Sequence, residues 1–595
     1  MDTDANPYLD VPAADTAATA VPTNRLRLTG GAALAKAIQV LHDGPLFGMA
    51  GFQFATYYEA IRTSGMRHWL INDERSAMFA ADAWARVTNR PAVVDATLGP
   101  GATNLVSGLV ESLNAGIPAV VLVGDAHRLH AGKNMTQEGR QVDILRPAVK
   151  ELLRVEHVQR IPELVGRAFD LARRGRPGPV VIDVPEDVAH ESWDFDPEEF
   201  DALARRGKPL KTRASAAQVA AAAEVISAAQ RPVLLVGGGV HLSGAYESLA
   251  SFARSQKIPV AHTLSGKGAI ACNDPLSLGV FGRYSRVAND LITDSDCLIV
   301  VGCKLGEIAT RRYALLPKGV PVVQIDIDAS EFGRTGVNGI ALWSDAAEGL
   351  DDLAQACLPT PETLRARQGR IDGSHVLLSQ WRASAAQRID SEASPINVAR
   401  LLRAVNEVLP EDGILIADGG FATHWSGLFF DTKKAARQFV ANRGFASIGY
   451  GLPAALGAQL AAGSRRVISL TGDGGLNMSL GELETARRMG VPLILVVLNN
   501  AASGYVKAMQ HAMFGPGNYQ SSELSEIDYA ALAEAVGCFG LRVERPDLLE
   551  SALRMALAQT DRPTLVDVVV TRYPAQMLPG IDERGMAMKA GDRPI

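Results

Sequence analysis

An aspartate enclosed by glycines, Gly472-Asp473-Gly474-Gly475, ends the apolar run "RRVISLTGDGG", and an amide pair, Asn499-Asn500, ends the next one, "VPLILVVLNN". Glycines beside Asp473 let backbone N–H groups approach an anion, and a helix start there adds partial positive charge. The carboxylate itself would repel a bare phosphate. A hard divalent cation between the two removes that conflict, because magnesium binds through one or two carboxylates, further oxygens and phosphates. Asn500 can give its side-chain oxygen and Ala502 its backbone carbonyl to the same ion. One helix and one strand separate the two motifs, which returns the chain to the same end of a parallel sheet, where α/β proteins bind ligands.

The elements that must position these groups recur along the chain. Short apolar runs ending in Gly, Asp or Asn, such as "PAVVDATLG", "GPVVIDVP", "RPVLLVGGG", "CLIVVGCKLG" and "PTLVDVVV", alternate with amphipathic stretches. This predicts buried parallel strands in α/β layers, repeated three times. The fold expected is three doubly wound parallel-sheet domains, at 25–190, 210–357 and 393–575. Polar stretches from His190 to Ser215 and from Pro359 to Pro395 are read as linkers. Residues 1–24 are read as a flexible lead-in, and the tail 576–595 as either disordered or folded over a site.

With 595 residues, 47% hydrophobic and 21% charged, the chain reads as several ordinary globular domains. A net charge of −6 without a basic block excludes a nucleic-acid binder. The five cysteines lack CxxC spacing and read as buried thiols. The N-terminus lacks a secretory pattern and no apolar run reaches the ~18–20 residues that span a bilayer, so a cytoplasmic protein without membrane attachment is expected.

The glycine-aspartate and asparagine motifs resemble the diphosphate-binding motif of thiamine-diphosphate-dependent enzymes. The resemblance implies that Asp473, Asn500 and Ala502 bind Mg2+, with Gly472, Gly474, Gly475 and Gly504 around the cofactor. That family uses a glutamate to switch the cofactor's aminopyrimidine to its imino form, so that the thiazolium C2 proton can be removed. The matching residue is Glu74, in "LINDERSAMFAADAWARV", followed by the similar segment "GPGATNLVSGL". A carboxylate in a closed apolar cleft suits such an acid–base relay. In the family Glu and metal motif come from different subunits, which implies a homodimer or homotetramer.

The similarity covers about residues 27–570 and is nearest to the acetolactate-synthase-like branch, through "RRGRPGPVVIDVPEDV", "PVVQIDID" and "SIGYGLPAALGAQLA". It implies pyrimidine-binding, central and diphosphate-binding domains in that order. It also implies a carboligase or lyase that cleaves a 2-oxo acid, most simply pyruvate, and transfers the acyl carbanion equivalent to a second carbonyl. Ile448 matches the bulky residue that props the cofactor into its bent shape, and Gln137, after Thr136, matches a donor-site glutamine. Other positions depart from the branch. Gly51 and Phe52 stand where two glycines are expected, Phe421 and Ala422 where a Gln-His pair is, and Met509 where a tryptophan is. His424, Tyr505 and Lys507 join these as candidate pocket residues. His127 and His130 lack the converging partners of a metal site.

In the central domain Leu242 breaks the dinucleotide fingerprint of "VGGGVHLSG", which argues against a nicotinamide site. Acetolactate synthases hold a non-redox FAD mainly through this domain and relatives do without it. Here "FGRYSR" and "GCKLGEIATRR" depart from the synthase pattern, so FAD stays open. So does a rival outcome for the same cofactor: simple decarboxylation, or cleavage of a larger 2-oxo acid or a sulfo- or acyl-CoA-type substrate. A non-catalytic binding protein is disfavoured by the intact Glu74, Asp473 and Asn500.

Overall fold

The structure, a computed structural model, describes residues 25–207, 210–337 and 339–580; the lead-in at 1–24 and the tail beyond 580 lie outside the described residues. Within this span the chain forms three six-stranded sheets in which every strand pairing is parallel. The sequence pattern shows why. In the strand Ile494–Asn499, Ile494, Val496 and Leu498 face one apolar cluster, while Leu495 and Val497 face another. The strands Ala92–Ala96 and Cys297–Val301 split their side chains between two clusters in the same way. Both faces of each sheet are covered, which is why these strands read as unbroken apolar runs.

Strand order fixes where ligands can enter. In the first domain the order is His68–Leu70, Leu46–Gly48, Ala92–Ala96, Ala119–Asp125, Pro179–Pro185, Glu151–Arg154. In the third it is Phe439–Ala441, Ile414–Ala417, Val467–Gly472, Ile494–Asn499, Thr564–Val569, Phe539–Val543, the same order of six. Each reverses direction between its first and third strands in sequence. The central sheet runs Ser277–Val280, Val260–His262, Pro232–Val236, Cys297–Val301, Val322–Asp326, Ile340–Trp343, and reverses between Pro232–Val236 and Cys297–Val301. Crevices open at the carboxyl ends of strands at such reversals. They place Gly51 and Thr97 in one, Asp418 and Asp473 in another, and Gly238 and Cys303 in the third.

Both stretches read as linkers contain regular elements. From 190 on, the strand Ser192–Phe195 pairs antiparallel with Leu26–Thr29. The helix Pro197–Ala204 follows, started by an Asp196 capping box, and Phe195, Phe200 and Leu203 enter the first core. The first domain therefore continues to Ala204. Among its described residues only those three side chains are buried, so the stretch looks polar in sequence. The second stretch is a 29-residue helix, Pro361–Ile389, capped by Thr360. It is fixed by Arg367, whose buried guanidinium donates to the carbonyls of Ile226, Ala229 and Gln256 at the ends of two central-domain helices. Arg367→Met should lower unfolding free energy by about 2–4 kcal/mol, read by denaturant titration, because those carbonyls lose their donor inside the protein.

The tail's first part is packed. Met577 and Leu578 are buried in the third core, and Trp425 donates its indole N–H to the Met577 carbonyl at 2.8 Å. Four of the cysteines are buried, Cys272 is half-buried, and all five are free thiols. No helix of the described residues is long and apolar enough to cross a membrane.

Candidate active site

Asp473 opens a five-residue helix, Asp473–Asn477, directly after the strand Val467–Gly472, and a second helix, Glu482–Met489, follows. The single helix expected between the motifs is thus two. Met478 and Ser479 close the first with tight turns onto Gly475 and Leu476, and Gly481 precedes the second. The Asp473 carboxylate is buried and accepts from the N–H of Gly474 at 2.8 Å and of Asn500 at 3.1 Å. Burial raises its pKa, and the hydrogen bonds from surrounding amides only partly offset this. Among the described residues no lysine or arginine forms an ion pair with it. A Cβ placed on Gly472 would meet nothing within 4 Å, so the space over the strand end is open.

The two asparagines do different work. Asn499 donates to the carbonyl of Ile527 and to the Asp567 carboxylate, both at 2.9 Å, and ties two strands together. Asn500 turns the other way. Its Oδ1 accepts from the Ala502 N–H at 3.2 Å across Ala501, whose φ of 50° is left-handed. The bend brings Asp473, Asn500 and Ala502 to one corner. Gly504 starts the next helix, Gly504–Phe514, and has no room for a side chain, since a Cβ would lie 2.6 Å from Asn500 Nδ2.

Beneath this corner lies Asp418, a residue the sequence reading passed over. Its buried carboxylate accepts from the N–H groups of Gly419, Gly449 and Tyr450 and from the Thr471 hydroxyl. One carboxylate thus joins two strand ends to the segment carrying Ile448, and it explains Gly475, where a Cβ would lie 2.6 Å from Asp418 Oδ2. The available signal was "ADGG", a strand-ending aspartate before paired glycines. Asp418→Ala should leave three buried backbone donors unmatched and cost upwards of about 3 kcal/mol. Thermal unfolding of the variant measures this, and a wild-type transition would contradict it.

Glu74 is the first residue of the helix Glu74–Thr88, whose N-cap Asp73 accepts from Arg75 and Ser76. Its carboxylate is buried and accepts from Asn104 Nδ2 at 3.0 Å. Gly101 leaves room for it, because a Cβ there would come within 3.0 Å of Glu74 Oε1. The segment "GPGATN" therefore serves this carboxylate directly.

The strap 443–446 that leads to Ile448 is fastened from the first domain. Glu111 accepts from the N–H groups of Gly444, Phe445 and Ala446, and also pairs with Arg86, which is held by Asp82. Asp82 accepts from the Tyr450 hydroxyl as well. Glu111 and the strap, like Asp82 and Tyr450, lie more than 300 residues apart in sequence, and no local pattern marks these contacts.

The remaining expected residues divide. His424 is buried, its ring stacked on Tyr505 at 5.7 Å and edge-on to Tyr284 at 5.3 Å. Burial, with the charges of Arg443 and Arg283 adding to it, holds its pKa well below the ordinary value, so the imidazole is neutral. Phe421 packs beside Gly504 and Ala422 is buried. Lys507 pairs with Glu523 at 2.7 Å, and Met509 is half-buried on the same helix. Phe52 is 73% exposed and meets His190 edge-on, so within one chain it narrows no pocket. Gly51 abuts Thr97, while Thr136 and Gln137 lie exposed in a loop whose Gln137 carbonyl rests against Gly99. The rings of His127 and His130 lie 4.9 Å apart, tilted by 38°, and no cluster of three His, Cys, Asp or Glu at metal distance occurs among the described residues.

A cleft of roughly 780 Å³ opens where the three domains meet, lined among others by Asn114, Gly238, Lys304, His424 and Arg443. Its central-domain glycines are explained by packing. A Cβ on Gly237 would meet the Gly302 carbonyl at 2.3 Å, and one on Gly239 the Gly302 Cα at 2.6 Å.

Comparison with known proteins gives three consecutive matches. The N-terminal TPP-binding domain of thiamine pyrophosphate enzymes matches residues 28–144, the central domain 219–353 and the C-terminal TPP-binding domain 418–568. The chain is 32% identical over 568 residues to the probable acetolactate synthase large subunit of Methanocaldococcus jannaschii, covering 94% of each. It is 31% identical to the acetolactate synthase isozyme 3 large subunit of Escherichia coli, covering 88% of this chain and 92% of that one. It is also 31% identical to the acetolactate synthase of Arthrospira platensis, over 94% and 98% of the two chains.

Proposed function

The chain belongs to the thiamine pyrophosphate enzyme family and is a thiamine-diphosphate-dependent enzyme, and from that premise we propose that it is a Mg2+-requiring carboligase of the acetolactate synthase type. It would take a small 2-oxo acid, most simply pyruvate, release carbon dioxide, and join the acyl fragment to a second carbonyl. The observation that carries this is the corner formed by Asp473, Asn500 and Ala502 beside open space at Gly472. A buried carboxylate without a cationic partner, an amide oxygen and a backbone carbonyl suit magnesium completed by a diphosphate.

Thiamine diphosphate, when bound, supplies a thiazolium that accepts the electrons left as carbon dioxide departs. The chain's own groups do the rest. Asp473, Asn500 and Ala502 would hold the metal, with Gly472, Gly474 and Gly504 allowing close approach. Glu74, held by Asn104, would keep and pass a proton at its carboxylate. Ile448 would form the apolar wedge, on a segment locked by Asp418 and Glu111. Neutral His424 and Tyr505 would border the substrate space.

A second copy of the chain completes this reading. Phe52, Phe445, Ile448 and Met478 are 73%, 55%, 44% and 43% exposed, and apolar groups this open beside a site are suited to burial against a partner. We expect a homodimer or a dimer of dimers, read by light scattering. The cleft has the volume of a dinucleotide site, and FAD carried there would give the purified protein a yellow absorbance.

The deciding experiment incubates the protein with Mg2+, thiamine diphosphate and pyruvate and follows carbon dioxide and product together. Acetolactate is the expected product. Carbon dioxide with acetaldehyde alone would replace the carboligase reading with a decarboxylase one.

A further inference from the structure

Two arginines at the cofactor end of the cleft have no carboxylate within ion-pair distance among the described residues. Arg283, from the central domain, donates to the Tyr505 hydroxyl and lies 5.8 Å over that ring. Tyr505 immediately follows Gly504, which abuts Asn500. Arg443, from the third domain, begins the strap that leads to Ile448. Both line the cleft, as does Lys304, which donates to the Asn114 carbonyl.

The acids nearby are engaged elsewhere. Glu307 faces Arg312, Glu331 faces Arg176, Asp345 faces Lys211, and Glu111 is held by Arg86 and three amides. The adjacent His424 is neutral. Two guanidinium groups that repel each other are thus held half-buried with no ion-pair partner among the described residues, and Arg443 feels only a Glu111 that Arg86 and three amides already hold, a costly arrangement unless an anion joins them.

That anion is not the carboxylate lost as carbon dioxide. Cations gripping it would stabilise the reactant over the transition state, in which its charge is leaving. A pyruvate-sized partner brings one negative charge, whereas this end of the cleft presents two guanidinium groups with no ion pair among the described residues. Resting on the carboligase reading above, we propose that Arg283 and Arg443 bind a carboxylate remote from the reacting carbonyl, retained in the product, so that the enzyme selects a dicarboxylic 2-oxo acid as one of its two substrates.

The test compares 2-oxoglutarate with 2-oxobutyrate, each supplied with pyruvate to the holoenzyme. The expected result is a kcat/KM at least roughly tenfold higher for 2-oxoglutarate. That preference should fall by roughly 10–100-fold in Arg283→Met and Arg443→Met, carried by KM, and return in part in the Arg→Lys variants. Cofactor retention checks that each variant is folded. A wild-type preference for 2-oxobutyrate, or equal losses on both acids, would overturn the proposal.

A binding arm separates this from the carboligase reading. Calorimetry with glutarate, which cannot react, should show binding to the wild-type holoenzyme that both Met variants lose, even if no ligation product forms with any substrate. The same calorimetry with FAD decides the other source of negative charge. FAD binding abolished by either substitution, with no glutarate binding in wild type, would assign the arginines to a dinucleotide and overturn the inference.

Discussion

Glu74→Gln should leave thiamine diphosphate and Mg2+ bound while lowering turnover by roughly 10²–10⁴-fold, the usual contribution of a positioned acid or base. Glutamine has the shape of glutamate, and its amide oxygen can still accept from Asn104, so the 3.0 Å contact and the helix start survive. What it lacks is a carboxylate that can take and return a proton. Cofactor binding followed by intrinsic fluorescence, beside carbon dioxide release, separates the two effects. Turnover equal to wild type would remove Glu74 from the mechanism, and loss of cofactor with turnover would make it a packing residue.

Asp473→Ala should act on the other half of the site, weakening Mg2+-dependent cofactor binding by more than roughly 100-fold, beyond what removing a group that merely orients a ligand costs. The substitution removes the only acidic side chain of the proposed metal corner. It also leaves the Gly474 and Asn500 amides without their acceptor, so the turn that carries Asn500 and Ala502 loosens too. Equilibrium dialysis with and without a chelator measures the effect. Tight cofactor retention by this variant after magnesium is chelated would show that the corner holds the cofactor by some other means.

The asymmetry between these substitutions follows from where each residue sits. Glu74 lies in the first domain at a helix start braced by Asn104, and its neighbours tolerate an isosteric amide. Asp473 is bonded through both oxygens to the backbone of the turn it serves. One change should therefore separate binding from chemistry, whereas the other removes both.

Much of this was legible in the chain. Apolar runs ending in Gly, Asp or Asn specify buried parallel strands because a strand covered on both faces must be apolar on both. The glycines around Asp473 and the amide pair after the next strand stand out because both motifs are local in sequence. The stretch from 190 to 215 and the one from 359 to 395 were misread for the converse reason. A capped helix or an edge strand that buries a single face, or a single arginine such as Arg367, carries too little apolar signal to stand out from a linker.

The sequence by itself determined the three-domain α/β plan, which depends on periodicity, and it singled out Asp473 and Asn500 by short spacing and Glu74 by resemblance to a family as candidates. Tertiary structure alone decided that Asp418 braces the corner, that Glu111 grips the strap before Ile448, and that Arg283 and Arg443 reach one cleft without an ion-pair partner among the described residues. Each of those is a charge whose meaning depends on which distant backbone or side chain neutralises it. Burial, and the partners it brings together, can be assigned only once the chain has closed on itself.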